Sequence, residues 1–486
     1  MQVTSATSLN PPQTRGERTQ VSPIAVPAAL LLIGSTSLAL YFWGRDLHRF
    51  TQWIAAYVGL FVGQLALYLL ACIVVDRWSG RAWSAGRWLT IVLIVFFGAA
   101  SRAVLVPQRP YLSSDVYRYA WDGQVQRSGI NPYRYVPEAA ELSQLRDDKI
   151  FPNIPGEDRN WTSPYPPVAQ MVFLGVASVW PMSVTAVKAA MASFDMLAVA
   201  MLMLVLVRTG LDPAKAIIFA WHPLVIFESA HSGHIEPVYV AFLVAGLLAW
   251  SHSKSTLAGV ALGMAAMVKF YPLLVLPAFL FLTPAATRTS AFSAARRLIN
   301  KRNFALLAGV AATIILAYLP YWSAGSNLFA FIRGYFEEEG FVNNGARYFF
   351  LELARRVIWV PTGAFVIIAL SCLVVVAARQ LLREKRDASD VARSSTALIG
   401  TYLLLTAPRY AWYYAWLIPF LCLAPGIGWL YLTVASVLLY LLWYTPLVYP
   451  QIPVWLGVSI YIPVLVWMLL ESYNRRNGGR TALVAK

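Results

Sequence analysis

A segment in the first third of the chain carries acidic, basic and aromatic side chains at short intervals. It begins at Ser113 and reads SSDVYRYAWDGQVQRSGINPYRY. Four of its polar residues have the spacing i, i+3, i+4, i+7, which places side chains on one face of a helix; these are Asp115, Arg118, Tyr119 and Asp122. Either serine of the SSD sequence can cap this helix. The glycine, asparagine and proline that follow mark a turn.

A carboxylate on this helix can act as the general base that takes a proton from an attacking hydroxyl group. Asp115 is the better candidate because it lies at the mouth of the loop, nearest to the apolar segment 88–106. The alternative is an amphipathic helix at an interface, whose charges are only solvated.

A second polar group, FESAHSGHIEP, lies within an apolar region and contains Glu228, His231, His234 and Glu236. Ionisable side chains at membrane depth are costly and usually functional. The Glu-x-x-His-x-x-His spacing resembles half of a carboxylate metal site, but a second helix with matching ligands is missing from the sequence. A metal site and a structural polar network remain open, and we favour hydrogen bonding to a sugar or a phosphate over the metal.

Three cations follow. Lys269 in VKFYPLLVLP and Arg409 in TAPRYAWYYAW each lie at an inferred helix break, and Arg347 lies in NNGARYFF. Lysine and arginine that converge at one depth make a site for a phosphate anion. For Lys269 the alternative is a lysine whose stem covers apolar surface while its charge reaches a headgroup. The aromatic residues around Arg409 also fit an interfacial belt.

The composition is that of a membrane protein. Hydrophobic residues make up 58% of the 486 residues and charged residues 13%, whereas a soluble domain carries about 25% charged residues. We therefore expect an all-α polytopic membrane protein. Several apolar runs approach or exceed the roughly 20 residues that cross a bilayer as a helix: 24–43, 53–75, 184–207, 304–322, 357–378, 427–447 and 453–471.

The net charge of +16 is better explained by cationic cytoplasmic loops than by binding to nucleic acid. The strongest basic clusters are 76–88, 285–303, 379–394 and the C-terminal tail, with 208–215 as a weaker one. The three cysteines lie in apolar runs and indicate packing rather than a disulfide or a zinc site.

These clusters define a topology for a transmembrane domain over 23–475, between a disordered cytoplasmic tail (1–22) and a second tail (476–486). Three crossing helices place the loop 107–165 on the extracytoplasmic face, where we expect a cap with interfacial helices. The loop 323–347 lies on the same face.

Further along the chain, 166–181 is short and begins with two prolines, so we expect an interfacial or re-entrant helix. The segment 184–207 then crosses the membrane, a helix over 214–230 leads outward, and 236–251 returns.

Two later segments, 256–284 and 396–424, must each leave the cytoplasm and return within a short length. Their natural breaks are Lys269-Phe270-Tyr271-Pro272 and Pro408-Arg409-Tyr410, because proline interrupts helical hydrogen bonding. Non-helical backbone at membrane depth survives only where it lines a cavity or is covered by protein. We expect about 12–14 transmembrane or half-membrane helices, with the polar groups above gathered on the outer face.

The motifs, taken in order from residue 111 to about 420, resemble those of the GT-C glycosyltransferases. The segments DVYRYAWDG, GINPYRY and SPYPPVAQ are similar to the first large extracytoplasmic loop of that superfamily. Further matches are HPLVIFE with GHIE, then VKFYP, then PRYAWYYAW. The resemblance is closest to polyprenyl-phosphate-sugar-dependent enzymes such as glycosyltransferase family 87 and to the PIG-M-like mannosyltransferases.

The resemblance implies roles for individual residues. Asp115 corresponds to the catalytic aspartate, Lys269 and Arg409 bind the donor phosphate, and His234 and Glu236 order the sugar or the acceptor. We add Arg347 to the phosphate group. The remaining candidates for sugar or acceptor binding are Arg118, Tyr119, Asp122, Tyr165 and His231.

The sequence departs from the family pattern in three places. Tyr117 stands where relatives with a D-x-D motif have the second acid, which puts metal dependence in doubt. We assign no metal ligand, expect no cofactor and leave a divalent metal open. Glu236 stands where many relatives have aspartate, and two helices precede the one that leads into the loop.

We therefore expect a GT-C enzyme of the bacterial plasma membrane, acting on its outer face as a monomer among membrane lipids. It would move a hexose, mannose in the first instance, from a polyprenyl-phosphate donor to a lipid-linked or glycan acceptor, with inversion. The sequence has no Gly-rich phosphate loop for a nucleotide sugar. The alternative is a lipid or solute transporter, which favours internal repeats that the sequence lacks. A non-catalytic scaffold would leave the clustered polar residues unexplained.

Overall fold

The chain is built from helices. The computed structural model describes residues 24–45, 47, 53–78, 85–282, 297–329, 348–444 and 452–484. Over these ranges there is no β-strand, and seven helices are long and apolar enough to cross a membrane. The prediction of an all-α polytopic membrane protein is confirmed. The predicted number of 12–14 crossing or half-crossing helices stays a prediction.

The α-helices are numbered here in chain order. They are α1 (Ala25–Gly44), α2 (Trp53–Trp78), α3 (Ala85–Leu105), α4 (Asp115–Arg127), α5 (Pro167–Val179), α6 (Val184–Arg208), α7 (Ile217–Ala220), α8 (Pro223–Phe227), α9 (Glu236–Ser251), α10 (Ser255–Ala266), α11 (Leu276–Phe279), α12 (Lys301–Tyr318), α13 (Phe349–Arg355), α14 (Thr362–Leu381), α15 (Ala388–Thr406), α16 (Ile418–Leu421), α17 (Ile427–Ala435) and α18 (Val454–Val484). The long apolar helices are α1, α2, α3, α6, α12 with its 3-10 continuation to Phe329, α14 and α18.

Both predicted helix breaks are confirmed. α10 ends before Lys269, and a 3-10 helix (Tyr271–Val275) follows it. α15 ends at the left-handed residue Ala407, and after Arg409 the chain enters another 3-10 helix (Ala411–Leu417). A proline at each break removes a backbone donor, so neither segment can continue as a straight helix. Lys269 and Arg409 are thereby held on irregular backbone.

The prediction of one helix over 214–230 is wrong. The structure replaces it with a 3-10 turn (Pro213–Ala216), the short helices α7 and α8, and a π-helical turn (Glu228–Ser232). His222 is extended and Pro223 opens α8. Proline fits the first turn of a new helix but not a helix interior, and it disfavours helical backbone in the preceding residue. The helical path is therefore interrupted at Trp221 and His222 before the chain reaches Glu228.

The segment 107–165 folds as a layer around α4. Three short 3-10 turns follow α4, and α4 packs against α5. A Cβ atom at Gly123 would lie 2.5 Å from the backbone oxygen of Phe173, so only glycine allows this approach. α5 has 13 residues, too few to cross hydrocarbon as a helix. This agrees with the short helix predicted over 166–181; its position relative to the membrane stays a prediction.

A buried ion pair holds α3 against α6. Two guanidinium nitrogens of Arg102 donate to Asp195 Oδ2, at 2.9 and 2.7 Å, and both residues are buried. Lys188 of α6, also buried, donates to the backbone oxygens of Leu105 and Gln108 at the end of α3. A cation near a helix C-terminus interacts favourably with the helix dipole. These contacts determine where the chain leaves α3 towards Asp115.

Some predictions concern residues that the structure does not describe. Arg347, most of the loop 323–347 and the tail 1–22 lie outside the described residues. At the other end of the chain, α18 extends to Val484, so the backbone is helical within the predicted tail 476–486.

Candidate functional site

Asp115 is the first residue of α4, and its side chain is 34% exposed. Its backbone N–H donates to Ser113 Oγ at 3.3 Å, so Ser113, rather than Ser114, uses its side chain at this helix start. The hydroxyl group of Tyr119, one turn later, lies 3.5 Å from Asp115 Oδ2. A carboxylate in the first turn of a helix is favoured by the helix dipole. Asp115 is thus held in place while its carboxylate remains accessible to a ligand.

A buried histidine–glutamate pair lies directly behind this carboxylate. His234 Nδ1 is 2.6 Å from Glu228 Oε2, and both side chains are at most 2% exposed. On its other edge, His234 Nε2 lies 2.9 Å from Ser113 Oγ and 3.9 Å from Asp115 Oδ2. His234 is outside the seven long apolar helices. Burial by itself lowers its pKa, but the nearby carboxylates of Glu228, Asp115 and Glu236 together outweigh burial and raise the pKa. His234 thus lies between the carboxylates of Glu228 and Asp115.

The turn that carries His234 depends on Gly233. The π-helical turn ends at Gly233, which has φ +75°, and the N–H of His234 returns to the backbone oxygen of Glu228 at 3.0 Å. A Cβ atom at Gly233 would meet Lys188 Cγ at 2.7 Å and Val116 Cγ2 at 3.0 Å. Positive φ and tight packing both favour glycine here. The turn is therefore pressed against α4 and α6, which brings His234 to Asp115.

An aromatic cluster formed by Tyr410, Trp412 and Tyr413 joins His234 to the two predicted phosphate-binding cations. Trp412 stacks on the ring of His234 with centroids 4.0 Å apart, and Tyr410 stacks on Trp412 at 4.5 Å. Arg409 lies over the ring of Tyr410 at 5.5 Å, and Lys269 lies over the ring of Tyr413 at 5.0 Å. Both distances are within the range of cation–π attraction. The tertiary structure thus gathers three separate sequence motifs around one cluster.

Lys269 also forms a close ion pair with Glu236. Its Nζ donates to Glu236 Oε1 at 2.5 Å, with Lys269 11% exposed and Glu236 1% exposed. Glu236 is the first residue of α9, and Lys269 follows α10, so the pair closes the open end of this helical hairpin. From the sequence, Lys269 was assigned to the donor phosphate and Glu236 to the sugar or the acceptor. The structure places the two side chains in direct contact.

His231 occupies a different environment from His234. It is buried, stacks on Phe227 with centroids 4.2 Å apart, and meets Tyr111 edge-on at 4.2 Å. Glu228 is engaged by His234, so the three residues of the Glu-x-x-His-x-x-His motif do not converge on one point. In the part of the chain that the structure describes, no group of three or more His, Cys, Asp and Glu side chains could hold a metal ion.

Arg118 and Asp122 are engaged within the protein. Arg118 Nε donates to Asp122 Oδ1 at 2.8 Å, and its other nitrogens reach backbone oxygens of the later loop. Asp122 Oδ2 accepts from Ser163 Oγ at 2.5 Å and from Gln170 Nε2 at 3.0 Å. Both residues of the pair are buried. They fasten α4 to the segment before α5, and we therefore favour a structural role over the predicted contact with sugar.

Tyr119 and Tyr165 form a wall near Asp115. The ring of Tyr119 stacks on Phe173 with centroids 4.7 Å apart and meets Tyr165 edge-on at 5.0 Å. The hydroxyl group of Tyr133 donates to the backbone oxygen of Tyr165 at 2.6 Å. Their predicted role in sugar or acceptor binding stays a prediction, and their position is compatible with it.

Three residues that contact His234 were not among the site residues predicted from sequence. Ser113 is its hydrogen-bond partner, Trp412 its stacking partner and Glu228 its ion-pair partner. Ser113 was noted only as a possible cap, Trp412 only as one of several aromatics, and Glu228 only within the metal motif. The sequence did not pair Glu228 with His234 because a separation of six residues does not place two side chains side by side on a helix, the element predicted there. In the structure, a π-helical turn followed by a left-handed glycine brings Glu228 and His234 together.

Comparison with known proteins identifies the family. The N-terminal domain model of the MptA/B family, described as alpha-(1->6)-mannopyranosyltransferase, matches residues 25–285. This range is more than half of the chain and contains the segment around Asp115, the His234 turn and Lys269. Searches of curated proteins and of solved structures returned no significant match. The resemblance to a GT-C-like mannosyltransferase is confirmed. The chain is an integral membrane glycosyltransferase that belongs to the alpha-(1->6)-mannopyranosyltransferase family.

Proposed function

We propose that this protein transfers mannose from a polyprenyl-phosphate donor to a hydroxyl group of a lipid-linked or glycan acceptor, on the extracytoplasmic face of a bacterial plasma membrane. The observation that carries the proposal is the partly exposed carboxylate of Asp115, backed by the buried His234–Glu228 pair and flanked by an aromatic cluster that holds two cations. This arrangement supports general base chemistry beside an anion site.

In the proposed step, Asp115 takes the proton of the acceptor hydroxyl group. The acceptor oxygen forms a bond to the anomeric carbon as the bond from that carbon to the phosphate oxygen breaks on the opposite side. The electron pair leaves with the lipid phosphate, and the anomeric centre is inverted. Positioned general bases typically contribute about a hundredfold to ten-thousandfold in rate. His234 and Ser113 keep the Asp115 carboxylate in its orientation.

The departing phosphate needs compensation for its negative charge. Lys269 and Arg409 lie against the same aromatic cluster, which supports a shared role in binding this group; Arg347 would add a third cation. Charge stabilisation of this kind is often the largest single catalytic contribution. Glu236 keeps Lys269 in place and offsets its charge, so the local site stays close to neutral until the phosphate enters.

A lipid-phosphate sugar suits a site built among membrane helices. Its polyprenyl chain can remain in the bilayer while the phosphate meets Lys269 and Arg409. Nucleotide sugars are not available on the outer face, which is the face that the distribution of basic loops favours for Asp115. The family assignment supports mannose as the sugar and makes a transporter the weaker alternative.

Transfer from a set of polyprenyl-phosphate hexoses, in membranes that contain the protein, tests the proposal directly, with the product analysed by mass. We expect transfer from the mannose donor and a fall of about a hundredfold to ten-thousandfold for Asp115→Asn. Asp148→Asn is the matched control, because Asp148 is an exposed carboxylate of the same loop and should leave transfer unchanged. Full transfer by Asp115→Asn at normal expression would refute the assignment of the base. Addition of a chelator to the same assay decides the open question of a divalent metal.

A further inference from the structure

A small cavity lies between the two ion pairs of the site. It is lined by Glu228 and Ser229 of the π-helical turn, by Glu236 at the start of α9 and by Asp195 of α6, with apolar residues completing the wall. The cavity volume is about 10 Å³. One water molecule needs about this much room.

Glu228 and Glu236, which both line the cavity, each have one carboxylate oxygen without a hydrogen-bond partner among the described residues. These oxygens are Glu228 Oε1 and Glu236 Oε2, and both are buried. The other oxygen of each carboxylate is used: Glu228 Oε2 by His234, and Glu236 Oε1 by Lys269. Buried polar atoms without partners are rare because each costs its lost hydration. Both residues contribute to the wall of the same cavity.

We propose that one water molecule occupies this cavity and bridges Glu228 and Glu236. A water molecule has two O–H donors, and the site offers two carboxylate oxygens that need one donor each. The hydroxyl group of Ser229 in the same wall already donates to the backbone oxygen of Ile226 at 3.3 Å. The water therefore makes two hydrogen bonds, the lower end of the range for buried waters. A water molecule is thus indicated because the two carboxylate oxygens each need one donor.

A monovalent cation fits the cavity less well. Each of the three lining carboxylates already faces a basic side chain: Arg102 beside Asp195, His234 beside Glu228 and Lys269 beside Glu236. An additional cation would leave a positive excess in a buried site, where uncompensated charge is expensive. A neutral water molecule adds donors without adding charge.

The bridging water makes the base side and the phosphate side one hydrogen-bonded unit. The chain of contacts runs from Asp115 and Ser113 through His234 and Glu228 to the water, and then through Glu236 to Lys269. This consequence rests on the proposed roles of Asp115 and Lys269, whereas the water site itself does not. Positions of the acceptor base and of the donor-phosphate cation would therefore change together.

The test compares two equal substitutions on α9. Val240→Ile adds one methylene at a residue that lines the cavity, while Val244→Ile adds the same group one turn later, at a buried residue outside the lining. Both changes crowd the core, but only the first displaces the water and leaves two carboxylate oxygens without a donor. We expect the unfolding midpoint in detergent to fall further for Val240→Ile than for Val244→Ile. We expect kcat to fall by at least about tenfold for Val240→Ile alone, because two charge-assisted hydrogen bonds are lost.

An experimental structure that resolves ordered waters provides the second measurement. We expect density about 2.6–3.2 Å from both Glu228 Oε1 and Glu236 Oε2, the range of ordinary hydrogen bonds. Direct contact of the two carboxyl groups, equal stability of the two variants, or a midpoint that rises specifically with sodium or potassium would overturn the proposal. If Val240→Ile loses stability and retains kcat, the water site stands and the coupling between the two halves of the active site is refuted. Transfer by Asp115→Asn tests the proposed function separately.

Discussion

Replacement of Lys269 by methionine separates two roles of this lysine that the structure combines. Methionine keeps most of the apolar stem and removes the charge. The ammonium group donates to Glu236 at 2.5 Å, and Glu236 is 1% exposed. Loss of the lysine would leave a buried carboxylate without its partner. A lysine that merely covered apolar surface and reached a headgroup would tolerate the same change.

The expected loss of stability in Lys269→Met follows from the burial of Glu236. Removal of one member of a buried ion pair costs about 3–5 kcal/mol, and because Lys269 is 11% exposed we expect about 3 kcal/mol, the lower end of that range. If Lys269 also contacts the donor phosphate, transfer loses a charge-assisted hydrogen bond of about 1.5–3 kcal/mol. That loss corresponds to roughly tenfold to somewhat over a hundredfold in rate.

A double variant, Lys269→Met with Glu236→Gln, separates the two contributions. It removes both charges of the pair, so the unfolding midpoint in detergent should recover most of what Lys269→Met loses. Transfer should not recover, because the phosphate still lacks its cation, and the donor KM should stay raised. Glu236→Gln alone leaves Lys269 present and serves as the control. Recovery of transfer together with stability would show that Lys269 acts only through the ion pair and would refute the phosphate assignment.

The remaining predictions concern topology, the loop layer and the His234 turn. For topology, the natural cysteines are removed and single cysteines are placed at the exposed positions Ser143 and Lys254. The cysteine at 143 should react with an impermeant thiol reagent from outside, whereas the one at 254 should react only after permeabilisation. The reverse result would contradict the outward site. Asp122→Asn removes the charge beside the buried Arg118 and should lower stability by about 3–5 kcal/mol; lost transfer at wild-type stability would instead assign Asp122 to ligand binding. In Gly233→Ala the alanine must adopt left-handed backbone, at a cost of about 1–2 kcal/mol, and its Cβ atom clashes with Lys188. We expect kcat to fall because His234 is displaced. Wild-type kinetics would contradict this account of the turn.

Several elements were predictable because they depend on local composition. Long apolar runs must be helical in a bilayer, since no other single segment satisfies its own backbone hydrogen bonds there. The breaks at Lys269 and Arg409 follow from proline, whose ring acts on its immediate neighbours. The continuous helix over 214–230 was wrong for the same kind of reason: Pro223 is a local signal, and its apolar surroundings obscured it.

The functional side chains divide in the same way. Asp115 stands out from sequence alone because it lies at the mouth of the loop, next to the apolar segment 88–106. Arg118 and Asp122 share its helix face, and only the structure shows that they are used by Ser163, Gln170 and loop backbone. The spacing of polar residues along a helix does not reveal which of them meet solvent and which meet the protein.

The sequence by itself determined the class of this protein, its main helices, their breaks and the aspartate at the head of α4, because hydropathy, proline and capping act over a few residues. Only the tertiary structure decided which side chains of the site contact each other. It joined His234 to Glu228 and Asp115, Lys269 to Glu236, and Arg409 to the aromatic cluster. Charges buried among membrane helices must find partners wherever packing brings them together, since leaving them unpaired is costly. Those meetings occur between residues far apart in the chain, at distances that only close packing sets.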